Sequence, residues 1–107
     1  MSAVYVMAAD TGLVKVGWSS APYARLSQVR KDHAAGVEFS DVRLVGFVKT
    51  PSFLEIEAIV HDELRDDWKA GEWFSCDPEQ ALSVVLEFAR LRDHSAEIVR
   101  PTARAVA

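Results

Sequence analysis

Tyr5, Lys15, Gly17, Arg25 and Glu57 are an ordered set of residues with the chemistry to act on a phosphodiester. Breaking that bond requires an activated water, stabilised charge on the phosphoryl oxygens and help for the leaving oxygen. A tyrosinate takes the water's proton if its pKa falls well below the usual value of about 10, and a nearby ammonium such as Lys15 favours the charged form. Gly17 leaves space where backbone can approach a phosphate closely. Arg25 offers a fixed charge and forked donors. Glu57 can bind one Mg²⁺ or Mn²⁺, with water and substrate oxygens filling the other positions. Singly, each residue has a plainer use: Tyr5 in a core, Lys15 on a solvated strand face, Arg25 in a surface ion pair, Glu57 in a salt bridge to a neighbouring strand.

The elements that must position these groups are readable from apolar spacing. Ala3 to Met7 predicts a buried strand, Asp10-Thr11-Gly12 a turn, and Leu13 to Trp18 its hairpin partner. Tyr5 and Lys15 are then expected as cross-strand neighbours. Ser19 or Ser20 followed by Pro22 starts a helix running to about Lys31. It carries Arg25 near its start and Arg30 and Lys31 at its end, and Arg30, Lys31 and Gly17 are candidate substrate contacts. Residues 32–39 read as a loop, and Val42 to Val48 as a third strand. A second helix follows Thr50-Pro51-Ser52 and is expected to reach Trp68. On it, Phe53, Ile56, Val60 and Leu64 form one apolar arc. Glu57 lies at the edge of that arc, whereas Glu55 lies on the far side with Asp62 and Asp66. A carboxylate at a core boundary costs stability unless a cation or hydrogen-bond donor meets it. His61, one turn later, is a candidate to contact substrate or support the metal ligand, or a structural donor. Glu72-Trp73-Phe74 reads as a short extended piece returning to the core. Asp77-Pro78 caps a third, strongly amphipathic helix. The expected architecture is a single α+β domain over residues 1–93, with 94–107 as a flexible tail.

Length and composition narrow the class. The chain has 107 residues and one cysteine, Cys76, so an intrachain disulfide framework is excluded. The lack of a signal peptide or spanning apolar run makes a cytoplasmic protein the default expectation. The formal net charge is −4, which disfavours non-specific nucleic-acid binding. Its distribution is uneven: residues 1–53 carry six basic and four acidic side chains, residues 54–107 six and twelve. The first half can therefore present a local basic surface.

Ala3-Val4-Tyr5, Lys15-Val16-Gly17, Arg25, Glu57-Ala58-Ile59-Val60-His61 and Glu72-Trp73-Phe74 occur in an order that resembles the GIY-YIG nuclease superfamily, in its small phage- and bacterial-type branch. The resemblance covers about residues 3–85. It implies a three-stranded antiparallel sheet flanked by helices and a one-metal mechanism for cutting DNA. By position, Tyr5 matches a base or water-orienting tyrosine, Arg25 the arginine that stabilises phosphate charge, and Glu57 the metal-binding glutamate; Lys15 stands where many members have a second tyrosine. Ala3 departs from the first glycine of the pattern. Two functions follow as expectations. One is a Mg²⁺- or Mn²⁺-dependent endonuclease acting on DNA, targeted by a partner protein or by homodimerisation. The other is a catalytically inactive module of the same fold that binds nucleic acid or protein.

Overall fold

The computed structural model describes residues 1–32 and 39–101. The expected loop falls outside the described residues over 33–38, as does 102–107 of the expected tail. In chain order the elements are β1 (Ala3–Ala9), β2 (Val14–Ser19), α1 (Pro22–Lys31), β3 (Val42–Lys49), α2 (Phe53–Glu63), a single 3-10 turn (Arg65–Asp67), β4 (Trp68–Ala70), β5 (Trp73–Phe74), α3 (Pro78–Arg92) and β6 (Ile98–Val99). All strand pairs are antiparallel, in the order β4-β5-β2-β1-β3-β6.

The class is α+β as expected, but among the described residues the sheet has six strands rather than three. The additions are short, and short strands carry little periodicity of their own. Trp73 and Phe74 alternate across the sheet, one into each core, which fixes β5 against β2 through Lys15–Trp73 and Val14–Phe74. The second helix stops at Glu63, not Trp68, because the chain tightens into the 3-10 turn and leaves as β4. Gly71 (φ +53°) turns β4 back into β5 in a conformation that favours glycine, and the exposed Trp68 indole N–H donates to the Gly71 carbonyl at 2.8 Å. At the other edge, β6 pairs with β3 through Phe47–Val99 and Val48–Ile98, within the stretch expected as a tail. Gly46 permits that approach: a β-carbon there would lie 2.8 Å from the Leu82 side chain and 3.2 Å from the Val99 carbonyl.

Side chains alternate along β1 between two cores. Tyr5, Met7 and Ala9 face α1, packing with Leu26, Val29, Phe47 and Trp73. Val4, Val6 and Ala8 face α2 and α3, packing with Ile56, Val60, Leu82 and Val85. A register shift opposite Val6 and Met7 makes Val45 the extra residue in β3. Leu44 and Phe47 thus point to one core, Val45 and Val48 to the other. With β1 central and buried on both faces, the tyrosine of the candidate site is rooted in the most enclosed strand.

Candidate active site

The site lies astride the edge of β2. Gly17 pairs with Tyr5 across the hairpin, and Lys15 pairs with Met7. Lys15 is therefore the diagonal neighbour of Tyr5 on the same face rather than its direct partner. The space left by Gly17 is filled from within. A β-carbon built there would overlap the Tyr5 hydroxyl, come 2.6 Å from the ring carbon bearing it, and lie 3.2 Å from Glu72 Oε1. The glycine's room is thus taken by the phenol, where the sequence suggested room for a phosphate.

Glu72 comes from the β4–β5 turn. Its Oε1 accepts a hydrogen bond from Lys15 Nζ at 2.8 Å, and the ammonium also stands 5.6 Å from the centroid of the Trp73 ring. The Glu72 carbonyl accepts from Val16 N–H at 3.1 Å, fastening the turn to β2. From the opposite face, α2 brings Glu57 and His61 to the same edge. Ligand atoms of Glu57, His61 and Glu72 all lie within 4.8 Å of one another. His61 Nε2 donates to the Val16 carbonyl at 2.7 Å. Because a carbonyl only accepts, Nε2 carries a proton, and Nδ1 is the ring nitrogen left to serve as a ligand. A ring N–H fixed on a backbone carbonyl is the support that metal-binding histidines commonly have.

Electrostatics at this edge are those of crowded carboxylates. Burial pushes the Glu57 carboxyl above the usual range, and the charge of Glu72 pushes the same way; His61 and Lys15 oppose it, and a hydrogen bond shared with Glu72 again favours the protonated form. The second oxygen, Glu57 Oε2, is buried and has no hydrogen-bond partner among the described residues. An orphaned carboxylate oxygen beside a second carboxylate and an imidazole suits a divalent cation in donor type and in the charge it lacks. Tyr5 departs from the sequence argument. Burial holds its phenol far above the usual tyrosine value, Glu72 raises it further, Arg25 lowers it and Glu57 raises it. Lys15 does not activate it, because its ammonium is committed to Glu72.

Arg25, on the exposed side of the first turns of α1, acts on Tyr5 through its charge and makes no ion pair or side-chain hydrogen bond among the described residues. Tyr5, Lys15, Gly17, Glu57 and His61 thus gather at one edge, with Arg25 within electrostatic reach. Arg30 and Lys31 lie elsewhere. Arg30 Nε donates to the Val42 carbonyl at 2.9 Å and pairs with Asp41 at 3.2 Å, tying α1 to β3. Lys31 is exposed at the far end of α1. Glu72 is the participant that sequence reasoning missed. Its signal was present: a carboxylate after a turn glycine, just before two aromatic residues that must enter the core.

Comparison with curated proteins found no match, and comparison with solved structures found none. The family whose model matches is the T5orf172 domain, over residues 2–89. This corrects the resemblance to GIY-YIG nucleases: the matching family is a distinct one, though related to nuclease-like folds. The short motifs behind that resemblance locate residues on a sheet edge, and a sheet edge does not by itself define a family. With 88 of its 107 residues matched, the chain belongs to the T5orf172 domain family.

Proposed function

We propose that this protein is a divalent-cation-dependent nuclease that hydrolyses DNA phosphodiester bonds at the β2 edge. T5orf172 domains are often nuclease-like or DNA-binding modules, and the reading adds chemistry to that class. The observation that carries it is the convergence of Glu57, His61 and Glu72, with a buried Glu57 oxygen that has no hydrogen-bond partner among the described residues, beside Tyr5 and within reach of Arg25. Glu57 and Glu72 would hold Mg²⁺ or Mn²⁺, with His61 Nδ1 as a third donor. When bound, such an ion polarises phosphoryl oxygens and acidifies water.

The side chains have separable tasks. Arg25 meets the charge that builds on the non-bridging oxygens. Tyr5, a neutral phenol in this field, orients the attacking water through its hydroxyl. Lys15 holds Glu72 in place, and the Val16 carbonyl holds His61. The test is plasmid nicking in Mg²⁺ or Mn²⁺. Wild type is expected to nick, Arg25→Ala to be slower by about a hundredfold, and Glu57→Ala to be inactive. Cleavage that survives Glu57→Ala unchanged sinks the metal assignment.

One observation favours a second reading. The phenol of Tyr5 is pushed away from ionisation rather than toward it, as expected of a module that binds nucleic acid without turnover. Wild-type protein that binds DNA and leaves every substrate intact would select that reading.

A further inference from the structure

Trp18 follows Gly17 on β2 and faces away from Tyr5, toward α2. Its ring packs against Phe53, with centroids 4.6 Å apart and planes inclined at 41°, yet the residue remains 38% exposed. Phe53 precedes Glu57 by one helical turn, so the two lie on the same side of α2. The last backbone bond from the β4–β5 turn to β2 reaches Val16. Beyond it the strand edge at Trp18 is uncovered by β5. The indole is therefore held by Phe53 and still 38% exposed, one residue from Gly17 and across from the helical turn that leads to Glu57. At this end of the sheet Lys49 stands in one row with Ala3 and Ser19. Neither Lys49 nor Arg25 makes an ion pair among the described residues.

We propose that Trp18 is a stacking platform for an unpaired nucleobase next to the phosphate taken at the β2 edge, so that the preferred substrate is single-stranded or locally open. The inference rests on the nuclease reading above and narrows its substrate class. A base can lie on an indole only when it has left its own stack. A single strand brings that face without the cost of unpairing. The charge supports the same choice: an acidic chain with two unpaired cations at this end has little with which to follow a duplex backbone. Phe53 fixes the plane of the platform, and Glu57, one turn on, sets its distance from the cluster.

The experiment measures binding in EDTA, separately from cleavage, using labelled oligothymidylate of about fifteen nucleotides and a duplex of similar length. Trp18→Leu keeps an apolar cover over Phe53 but has no π face; Trp18→Tyr keeps one. Trp18→Leu is expected to weaken single-strand binding about tenfold or more, Trp18→Tyr by less than about threefold, and duplex binding to change little in either. In a Trp68→Phe background, where Trp18 is the remaining exposed indole, oligothymidylate should quench tryptophan emission. Equal single-strand affinity in wild type and Trp18→Leu overturns the platform and leaves the nuclease reading standing. The same loss on both nucleic acids, with unchanged thermal melting, also overturns it. Absence of binding to either nucleic acid overturns the platform, and the nicking assay with Mg²⁺ or Mn²⁺ decides the nuclease reading separately.

Discussion

Two residues at the β2 edge set measurable conflicts between stability and the proposed chemistry. The first is Glu57. Its carboxyl is held above the ordinary range in the folded chain, so the folded state keeps this proton longer than the unfolded state does. The destabilisation is absent below the unfolded pKa and grows as pH rises through the folded one. Glu57→Gln is therefore expected to raise the melting temperature in EDTA at neutral pH by about 4 °C. It should also remove most of the stabilisation that Mg²⁺ or Mn²⁺ gives the wild type. Scanning calorimetry at neutral pH and near pH 4, with and without the ion, checks both, and an equal gain at both pH values would contradict the first. The second residue is Gly17. An added methyl group meets the Tyr5 phenol, whose ring is buried. Gly17→Ala should cost about 1–3 kcal/mol in urea denaturation, more than an exposed strand glycine would.

At the scale of elements, the sequence revealed what has period and hid what has not. Ala3 to Met7 of β1 was legible as an apolar run, and a capped α3 and the apolar arc of α2 because each repeats often enough to fix a face; Ala8 and Ala9 extend β1 beyond that run. Asp77 does cap α3, accepting from the Gln80 N–H. β4 and β6 were not legible, because two or three residues cannot display alternation and their pairing is decided by partners distant in sequence. The candidate site divides the same way. Tyr5, Lys15 and Glu57 were placed by their own elements, whereas Glu72 depends on β4 turning back at Gly71. Nor could the sequence supply the field at Tyr5, since burial and Glu72 together outweigh Arg25. β6 carries its own prediction. Arg100 donates to Val45 O at 3.2 Å and makes a two-pronged pair with Glu79 at 2.7 and 2.8 Å. The Arg100 hydrogen bond holds the Glu79 carboxyl below its usual range. That stability is present above the unfolded carboxylate pKa and lost as pH falls through the folded one. Both side chains are half-exposed, so Glu79→Gln should cost about 0.2–1 kcal/mol at pH 7 and nothing at pH 2–3, measured by urea denaturation.

For the whole molecule, the balance of charge matters more than its total. Among the described residues, no helix is long and apolar enough to cross a membrane. Lys15–Glu72 joins a cation of the first half to a carboxylate of the second at the candidate site. Of the cations that make no ion pair among the described residues, Arg25 and Lys49 stand at the end of the sheet that carries the site. The slope of log affinity against log salt for a single strand is accordingly expected at about −1 to −2, as for two or so phosphate contacts. A slope beyond about −5 in a salt titration would mean a basic surface that the fold does not display.

The interlocking of Gly17 with the Tyr5 phenol has a consequence for descent. The two positions form one lock across the hairpin, so the glycine cannot grow while the phenol stays. In relatives of this chain, a bulkier residue at the glycine should be accompanied by a shorter one at the tyrosine. Chains that have made that exchange would be the ones to have given up whatever the hydroxyl does.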